Sequence, residues 1–166
     1  MRTHRFAGWA LTAAVAFLAS PAICSASPSS DALNTVRLAI NALNHGNMSA
    51  YVALCDSPAY IIDTFDPYLI SGATGCTDWW NARAAFNKKA QITNLTAGMG
   101  APWHVFVTGD TAYISAPIDY HYNQKGQTMR ETGSTLAVTL KKGKGPNGWL
   151  ISGWAHAKHL EIQAPP

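Results

Sequence analysis

The chain has 166 residues, of which 48% are hydrophobic and 13% charged, and its formal net charge at pH 7 is +3. This length can bury a sizeable core within a single domain. The near-balance of charge argues against a nucleic-acid partner, which requires a concentrated basic face.

Residues 1–26 have the pattern of a secretory signal peptide. A basic start precedes an apolar run over 6–19, and small residues follow, with Ala26 as the predicted last residue removed. The run is shorter than the roughly 20 residues that cross a bilayer, so we expect no stable membrane anchor. Removing two of the 12 basic residues leaves 10 against 9 acidic ones. The sequence predicts a periplasmic or secreted protein with one domain over 27–166.

Two cysteines remain after this cleavage, Cys55 and Cys76. An even count in an oxidising compartment favours one disulfide bond, and the alternative is a pair of buried free thiols. Closing that loop would contribute about 3 kcal/mol by the chain-entropy estimate.

The first half of the mature chain predicts three helices and one strand. Apolar residues recur at helical spacing after Asp31, which is the predicted cap of the first helix. Thr77 is the predicted cap of the third. The elements expected between these two caps are a first helix ended by Gly46, a short helix over 47–56, a strand over 59–63 and a loop over 64–75.

From residue 91 onward the pattern changes to alternating strands. The predicted strands cover 92–97, 103–108, 111–122, 128–142 and 149–158. Helices followed by a strand meander predict an α+β fold, with helices packed across one face of a curved antiparallel sheet.

A register argument predicts a homodimer. If the turn at 123–126 has an even number of loop residues, the apolar sides of strands 111–122 and 128–142 lie on opposite faces of the sheet. Three helices can cover only one face, so the other is expected to meet a second subunit. A bulge near Pro117 or Gly133 would remove this argument.

Three segments carry a resemblance to a known superfamily. Residues 42–54 read as helix-glycine-helix, 62–67 as a strand ending in an acid before proline, and 148–156 as a closing Gly-Trp-x-Ile strand. In this order they resemble the nuclear transport factor two-like superfamily, which includes ketosteroid isomerases and SnoaL-like polyketide cyclases. The resemblance covers nearly all of the mature chain. It implies a conical half-barrel, with three helices over a concave sheet that encloses a cavity.

The resemblance does not imply one activity, because the superfamily contains enzymes, binding domains and assembly modules. The catalytic base of the ketosteroid isomerases matches Asp63 without a gap, or Asp66 through its Asp-Pro pair. Their two oxyanion donors, a tyrosine and a protonated aspartate, fall at Ala39 and near Ala137 in this chain. Steroid-isomerase chemistry is therefore not expected.

The candidate catalytic residues are Asp66, Asp63 and His156. Asp66 is either a base or the start of a turn before Pro67, and Asp63 is either a base or part of a salt bridge. His156 is either a proton carrier near neutral pH or a partly buried histidine bonded to backbone.

An apolar or aromatic ligand is predicted from the tryptophan and tyrosine content. These side chains fit a hydrophobic core equally well, and Arg130 either pairs with Asp119 or points inward to hold a carboxylate. No metal-ligand set and no cofactor motif emerges. The candidate ligand-binding residues are Tyr60, Trp80, Trp103, Tyr120, Arg130 and Trp154.

Three hypotheses follow. The first is an exported domain that binds a small apolar or aromatic molecule, with no assured catalytic activity. The second is a proton-transfer enzyme of the isomerase, cyclase or dehydratase type, with Asp66 or Asp63 as base and His156 assisting. The third is a dimeric assembly module with a filled cavity. Convergence of a carboxylate and a histidine on an open pocket favours the second hypothesis, and isolated polar groups favour the first.

Overall fold

A computed structural model describes residues 27–164 of the chain, so the predicted signal peptide lies outside the described residues. Within this range, no helix is long and apolar enough to cross a membrane. The helices are α1 (Pro28–Asn44), α2 (Met48–Val52) and α3 (Gly75–Ala90). The strands are β1 (Cys55–Ile62), β2 (Leu69–Gly72), β3 (Ile92–Met99), β4 (His104–Thr108), β5 (Thr111–Gln124), β6 (Gln127–Lys142), β7 (Trp149–Ala157) and β8 (Leu160–Gln163).

The helix starts differ slightly from the sequence prediction. Ser27, not Asp31, caps α1, because its hydroxyl accepts the backbone N–H of Ser30 at 3.2 Å. Asp31 lies in the first turn, where its charge favours the positive end of the helix. The third helix begins at Gly75, so Thr77 lies inside it rather than at its cap.

The eight strands form one curved sheet in the order β2-β1-β7-β6-β5-β3, with β4 on β5 and β8 on β6. The predicted α+β class, with helices on a bent sheet, is confirmed. One pairing differs from the wholly antiparallel expectation, because β1 and β7 run parallel. The short strands β2 and β8 were not expected, since each has only 4 residues.

The predicted register between β5 and β6 is wrong beyond their turn. Near the turn Tyr120 pairs with Glu131, but further along Ile118 pairs with Ser134, so β6 contains an extra residue between them. This bulge includes Gly133, whose φ of +74° is a conformation that glycine adopts without strain. The apolar sides of both strands therefore face the helices over most of their length.

The core lies between this inner face and the helices α1 and α3. Trp149 is completely buried, and close contact between strands also requires a glycine at Gly153, where a Cβ atom would lie 2.7 Å from the Tyr60 carbonyl oxygen. The largest fully buried aliphatic side chains are Ile61, Ile114, Ile118, Leu140, Val36 and Val138.

The opposite surface of the sheet, called the outer face here, also carries apolar side chains. Small residues occupy its centre, where Ala137 pairs with Ala155 and Thr139 pairs with Gly153. Large exposed side chains flank this centre on both sides: Tyr60, Ile62, Leu69, Phe106 and Tyr113. An apolar outer face was predicted, although the residues that form it differ from those of the register argument.

Candidate functional site

A disulfide bond joins the start of α3 to the start of β1. The sulfurs belong to Cys55 and Cys76, whose Cα atoms are 6.5 Å apart, so the predicted bond is present and the free-thiol alternative is not. Gly75 lies against β1, where a Cβ atom would come within 2.7 Å of the Ala59 carbonyl oxygen. These contacts place Trp79, one helical turn after the disulfide, against the inner face of the sheet.

Three buried ionisable side chains meet at the open end of the inner face. His156 Nδ1 lies 3.1 Å from Asp63 Oδ1, and His156 Nε2 lies 2.6 Å from Glu131 Oε1. The exposed fractions of the three side chains are 6% for His156, 9% for Asp63 and 7% for Glu131. We call these three residues the carboxylate-histidine cluster.

Neighbouring groups hold both carboxylates in place. Trp79 Nε1 donates to Asp63 Oδ2 at 2.8 Å, and the Thr64 backbone N–H donates to Asp63 Oδ1 at 2.7 Å. The Ser134 hydroxyl donates to Glu131 Oε1 at 2.6 Å. Each carboxylate therefore has a fixed orientation relative to the imidazole.

Strand alternation explains why these side chains point inward. Ala59 and Ile61 are buried on β1, and Asp63 continues the same face just past the strand end. On β6 the bulge reverses the alternation, which turns Glu131 toward the interior beside Tyr120 on β5.

The cluster favours a protonated imidazole. Burial lowers the pKa of His156, but hydrogen bonds and charges from Asp63 and Glu131 outweigh this effect and raise the pKa to about 9. Burial likewise raises the pKa of Glu131, and the bonds from His156 and Ser134 lower it more strongly, so that its pKa lies below the ordinary value. Two carboxylates and one imidazolium give the cluster a net charge of −1 at neutral pH.

The cluster lines a cavity of about 270 Å³ between α3 and the ends of β3, β5, β6 and β7. Tyr120 packs against His156 with ring centroids 5.1 Å apart, and burial raises the pKa of its phenol, which stays a hydrogen-bond donor. Lys158 forms an ion pair with Glu161 at the rim. The remaining lining residues are Thr64, Phe65, Trp79, Arg83, Phe86, Asn87, Ile92, Leu95, Tyr122 and Gln124.

The deeper part of the half-barrel is largely filled. A second space of only about 40 Å³ lies between α1 and the sheet, and its lining is apolar apart from the hydroxyl and indole groups of its aromatic residues. Trp79 and Tyr120 separate it from the larger cavity, since both residues line both spaces. An open chamber at the mouth and a largely filled apolar interior therefore replace the single apolar cavity that the sequence predicted.

Of the predicted catalytic residues, the structure brings Asp63 and His156 into direct contact. Asp66 is exposed and does not line the cavity. It follows Phe65, whose buried ring stacks on Phe86 with centroids 5.3 Å apart, so the chain has already left the cavity wall at this residue.

The predicted ligand-binding residues are scattered. Tyr120 lines the cavity. Trp154 does not line it but lines the small inner space, and its Nε1 donates to the Tyr51 hydroxyl at 2.9 Å. Trp80 packs against Tyr51. Tyr60 and Trp103 are exposed outside the cavity.

Arg130 pairs with Asp119 at 2.7 Å across β5 and β6. This is one of the two positions that the sequence predicted for Arg130, and the inward position is not observed. The guanidinium lowers the pKa of Asp119. Arg130 is therefore not the cation of the cavity wall.

Sequence reasoning missed four polar residues of the site: Glu131, Trp79, Arg83 and Lys158. Trp79, Arg83 and Phe86 are spaced four and three residues apart, and this spacing places them on one helix face. That spacing was a readable signal for Arg83. Glu131 had no such signal, because the strand pattern from Leu136 onward places odd-numbered residues outside.

The cluster is not arranged to hold a metal ion. In residues 27–164, no group of three or more His, Cys, Asp or Glu side chains has a metal-binding arrangement. Both imidazole nitrogens of His156 already face carboxylates.

No protein-family model matches this sequence, and no curated protein matches it. Solved structures show what the fold is similar to. A nuclear transport factor 2-like superfamily protein from Salmonella enterica superposes with a TM-score of 0.64 at 12% identity, covering 80% of this chain and 91% of that one.

Two further neighbours have different descriptions. Hexachlorocyclohexane dehydrochlorinase LinA-type3 from Novosphingobium barchaimii LL02 gives a TM-score of 0.67 at 11% identity, covering 83% of this chain and 95% of that one. The CaMKII hub of S. rosetta superposes with a TM-score of 0.64 at 17% identity, covering 81% of this chain and 99% of that one. The chain therefore has the nuclear transport factor two-like fold, as the sequence resemblance predicted, and these identities carry the fold alone.

Proposed function

We propose that this chain binds a small molecule in the cavity beside α3 and catalyses proton transfer on it with the carboxylate-histidine cluster. The observation that carries this proposal is a buried imidazole held between two carboxylates, Asp63 and Glu131, on the wall of an open cavity. Buried ionisable groups with shifted pKa values that converge on a cavity are characteristic of acid-base sites.

The proposed reaction begins with removal of a proton from a carbon next to a carbonyl group. An ionised carboxylate of the cluster takes the proton, and the electron pair of the C–H bond moves to the carbonyl oxygen. Asp63 and Glu131 are the only candidates for base in the cluster, because the imidazolium of His156 is already protonated at neutral pH. Return of the proton to a different carbon gives an isomer, and loss of a leaving group gives an elimination product.

His156 can move a proton between the two carboxylates. Its two ring nitrogens face different carboxylates, so an imidazolium can release a proton on one side and accept one on the other. The Tyr120 hydroxyl is a neutral donor on the same wall and can hydrogen-bond to the developing oxyanion. Elimination chemistry is also the activity named for the dehydrochlorinase neighbour, and this agrees with a role for the fold in proton removal.

The polar lining of the cavity supports the enzyme hypothesis over the other two. A purely apolar binding domain would show isolated polar groups, and an assembly module would show a filled cavity. The observed cavity has a connected ionic cluster and about 270 Å³ of open space, which favours the enzyme hypothesis.

Hydrogen-deuterium exchange at carbon tests the proposal. A panel of small carbonyl compounds with acidic C–H bonds is incubated in D₂O with the protein, and deuterium uptake is followed by NMR. We expect the wild type to accelerate exchange for at least one compound. Asp63→Asn or Glu131→Gln should reduce that rate by about 100-fold or more.

Asp66→Asn is the matched control, because Asp66 is exposed and outside the cavity. Its exchange rate should equal that of the wild type. Equal rates in wild type, Asp63→Asn and Glu131→Gln, or a loss confined to Asp66→Asn, would remove the proposed role of the cluster.

The outer face supports a proposed homodimer. It is apolar and carries small residues at its centre, so a second sheet can approach closely there while flanking aromatic side chains pack around it. The centre of the outer face also lacks charged side chains, because Ala137, Ala155 and Gly153 lie there on the paired strands β6 and β7. A second copy of the chain supplies a surface with the same apolar character.

Sedimentation velocity at micromolar concentration tests the dimer. Ala137→Arg places a long charged side chain at the centre of the outer face and should give a monomer with an unchanged fold. Leu38→Arg, at an exposed position on α1, is the matched control and should remain dimeric. A monomeric wild type would contradict this part of the proposal.

Export is the last part of the proposal. The disulfide supports an oxidising compartment, because such bonds are rare in reducing cytosol. Expression of the full chain, followed by cell fractionation and intact-mass analysis, should yield a product that begins at Ser27. A cytosolic product that retains Met1 would contradict it.

A further inference from the structure

The cavity wall carries one cation, Arg83, that makes no direct ion pair with another described residue. Arg83 lies on α3, one helical turn after Trp79, and lines the cavity. Within residues 27–164 its guanidinium makes no hydrogen bond and no ion pair. By contrast, Lys158 on the same wall is paired with Glu161.

Arg83 is held in place by packing on an aromatic ring, and the charge of Asp63 acts on it from beyond ion-pair distance. Its guanidinium carbon lies 5.5 Å from the centre of the Trp79 ring, in the geometry of a cation-π contact. Burial lowers the pKa of Arg83, but an arginine side chain stays protonated in proteins. Its five N–H donors make no hydrogen bond to the described residues and are available to an anion that enters the cavity.

The geometry also links Arg83 to the cluster. Trp79 contacts Arg83 through its ring face and donates its Nε1 hydrogen to Asp63 Oδ2. A group bound to Arg83 therefore lies about one indole ring away from the carboxylate of Asp63. The rest of the bound molecule can then reach the cluster without leaving the cavity.

The shape and size of the site favour a carboxylate. The guanidinium has a planar fork of donors that matches the two oxygens of a carboxylate. The stacked rings of Phe65 and Phe86 provide an apolar wall for a ring or a branched chain. A cavity of about 270 Å³ is at the small end of ligand sites, so the molecule is small.

We propose that Arg83 anchors a carboxylate, so that the ligand of this cavity is a small organic acid that presents its other end to the carboxylate-histidine cluster. This proposal rests on the proposed function for the identity of the site and adds the class of substrate. It also explains why the cavity can hold an acid despite the net charge of −1 on the cluster, since the guanidinium adds a positive charge to the same cavity wall.

Calorimetry with matched acid and amide probes tests the anchor. Benzoate, cyclohexanecarboxylate and phenylacetate are titrated into wild type, Arg83→Gln, Arg83→Lys and the control Arg37→Gln, which changes an exposed arginine on α1. Benzamide is the neutral partner of benzoate, and inorganic phosphate tests for a general anion site. Thermal unfolding of each variant shows whether the fold is intact.

At least one acid should bind the wild type and Arg37→Gln equally, and benzamide should bind at least about tenfold more weakly. Arg83→Gln should weaken acid binding about tenfold or more and leave benzamide unchanged, and Arg83→Lys should lie between them because it keeps the charge but not the fork. If Arg83→Gln does not fold, the affinities of Arg83→Lys for benzoate and for benzamide are compared instead, and this comparison tests the anchor.

Three results would overturn the anchor: no saturable binding of any of the three acids, equal binding of acid and amide, or equal acid affinity in wild type and Arg83→Gln. Tighter binding of phosphate than of every acid would also overturn it, in favour of a phosphate site. The exchange experiment separates the two proposals. If acids bind through Arg83 but no deuterium is taken up, the anchor stands and the proposed proton transfer is wrong. If neutral carbonyl compounds exchange and Arg83→Gln does not change the rate, proton transfer stands and the anchor is wrong.

Discussion

The mouth and the interior of this half-barrel are stabilised in opposite ways. At the mouth, Asp63, Glu131 and His156 are buried as ions, and each is satisfied by at least one hydrogen bond. In the interior, between α1 and the sheet, aliphatic and aromatic side chains leave only about 40 Å³ of space. The first region depends on pH and on each partner being present, and the second depends on volume.

The difference shows where a fold can accommodate chemistry. Removing one member of a buried ionic cluster leaves the other charges without partners, which is costly. Removing a methyl group from a packed interior costs transfer energy and leaves a cavity, with no dependence on pH. Stability measurements at two pH values can therefore assign a substitution to one region or the other.

The largest effect is expected from Ile118→Ala in the interior. Ile118 is 2% exposed and lines the small inner space, so the change should lower the free energy of unfolding by about 4 kcal/mol. Denaturant unfolding at pH 6 and pH 10 should give the same loss. A loss that varies with pH would mean that the two regions are not separate.

At the mouth, Glu131→Gln should lower the free energy of unfolding by about 3 kcal/mol at pH 6, because the imidazolium of His156 then keeps only one carboxylate partner. The loss should be much smaller at pH 10, where the imidazole is neutral in both proteins. The matched control is Glu161→Gln at the rim, where the ion pair with Lys158 is partly exposed and the change should cost under about 1 kcal/mol. Equal losses in the two variants would contradict the buried role of Glu131.

The wild type itself should lose stability as pH rises through the pKa of His156. That pKa is raised from 6.5 in the unfolded chain to about 9 in the fold, so the stabilisation is complete below pH 6.5 and lost by about pH 9. We expect the free energy of unfolding to fall by about 3 kcal/mol over this window in denaturant titrations. His156→Gln should show no such loss, and an imidazole NMR titration of the wild type should place the midpoint well above 6.5.

At acid pH the dependence of stability on pH has the opposite sign, because a carboxylate and not the imidazole titrates there. The pKa of Glu131 is lowered from 4.5, so its contribution is present above that value and is lost as the pH falls through the lowered pKa. Stability from the cluster should therefore be greatest between about pH 5 and pH 6.5.

The sequence predicted the strand ends that carry Asp63 and His156, because alternation and turn residues set the face of each short strand. It also predicted the disulfide, since two cysteines permit one pairing. It did not predict Glu131. One extra residue at the Gly133 bulge reverses the alternation along β6, and a residue in a bulge has no signature in hydrophobic spacing.

Arg83 was missed for a different reason. The sequence gives the face of α3 that carries Trp79 and Phe86, but a cation on such a face is usually one that reaches solvent. Only the distances show that Arg83 forms no direct ion pair within the described residues and lies over the Trp79 ring. The absence of a partner is a property of three-dimensional packing, so no local pattern could predict it.

The smallest effect tests whether the interior is purely a matter of volume. A hydrogen bond between two of its aromatic side chains runs from Trp154 Nε1 to the Tyr51 hydroxyl at 2.9 Å, and burial raises the pKa of that phenol. Tyr51→Phe removes the acceptor without changing the ring, so we expect a loss of about 1 kcal/mol that is the same at pH 6 and pH 9.

A double-mutant cycle with Trp154→Phe isolates this bond from the packing changes that accompany it. A coupling of about 1 kcal/mol between Tyr51 and Trp154 would show that one neutral hydrogen bond adds to the packing of the interior. A coupling near zero would mean that the two aromatic rings are held by volume alone, which would make the contrast with the ionic mouth complete. A coupling that changes with pH would contradict the contrast, because neither group ionises in this range and the effect would have to come from the carboxylate-histidine cluster on the other side of Trp79.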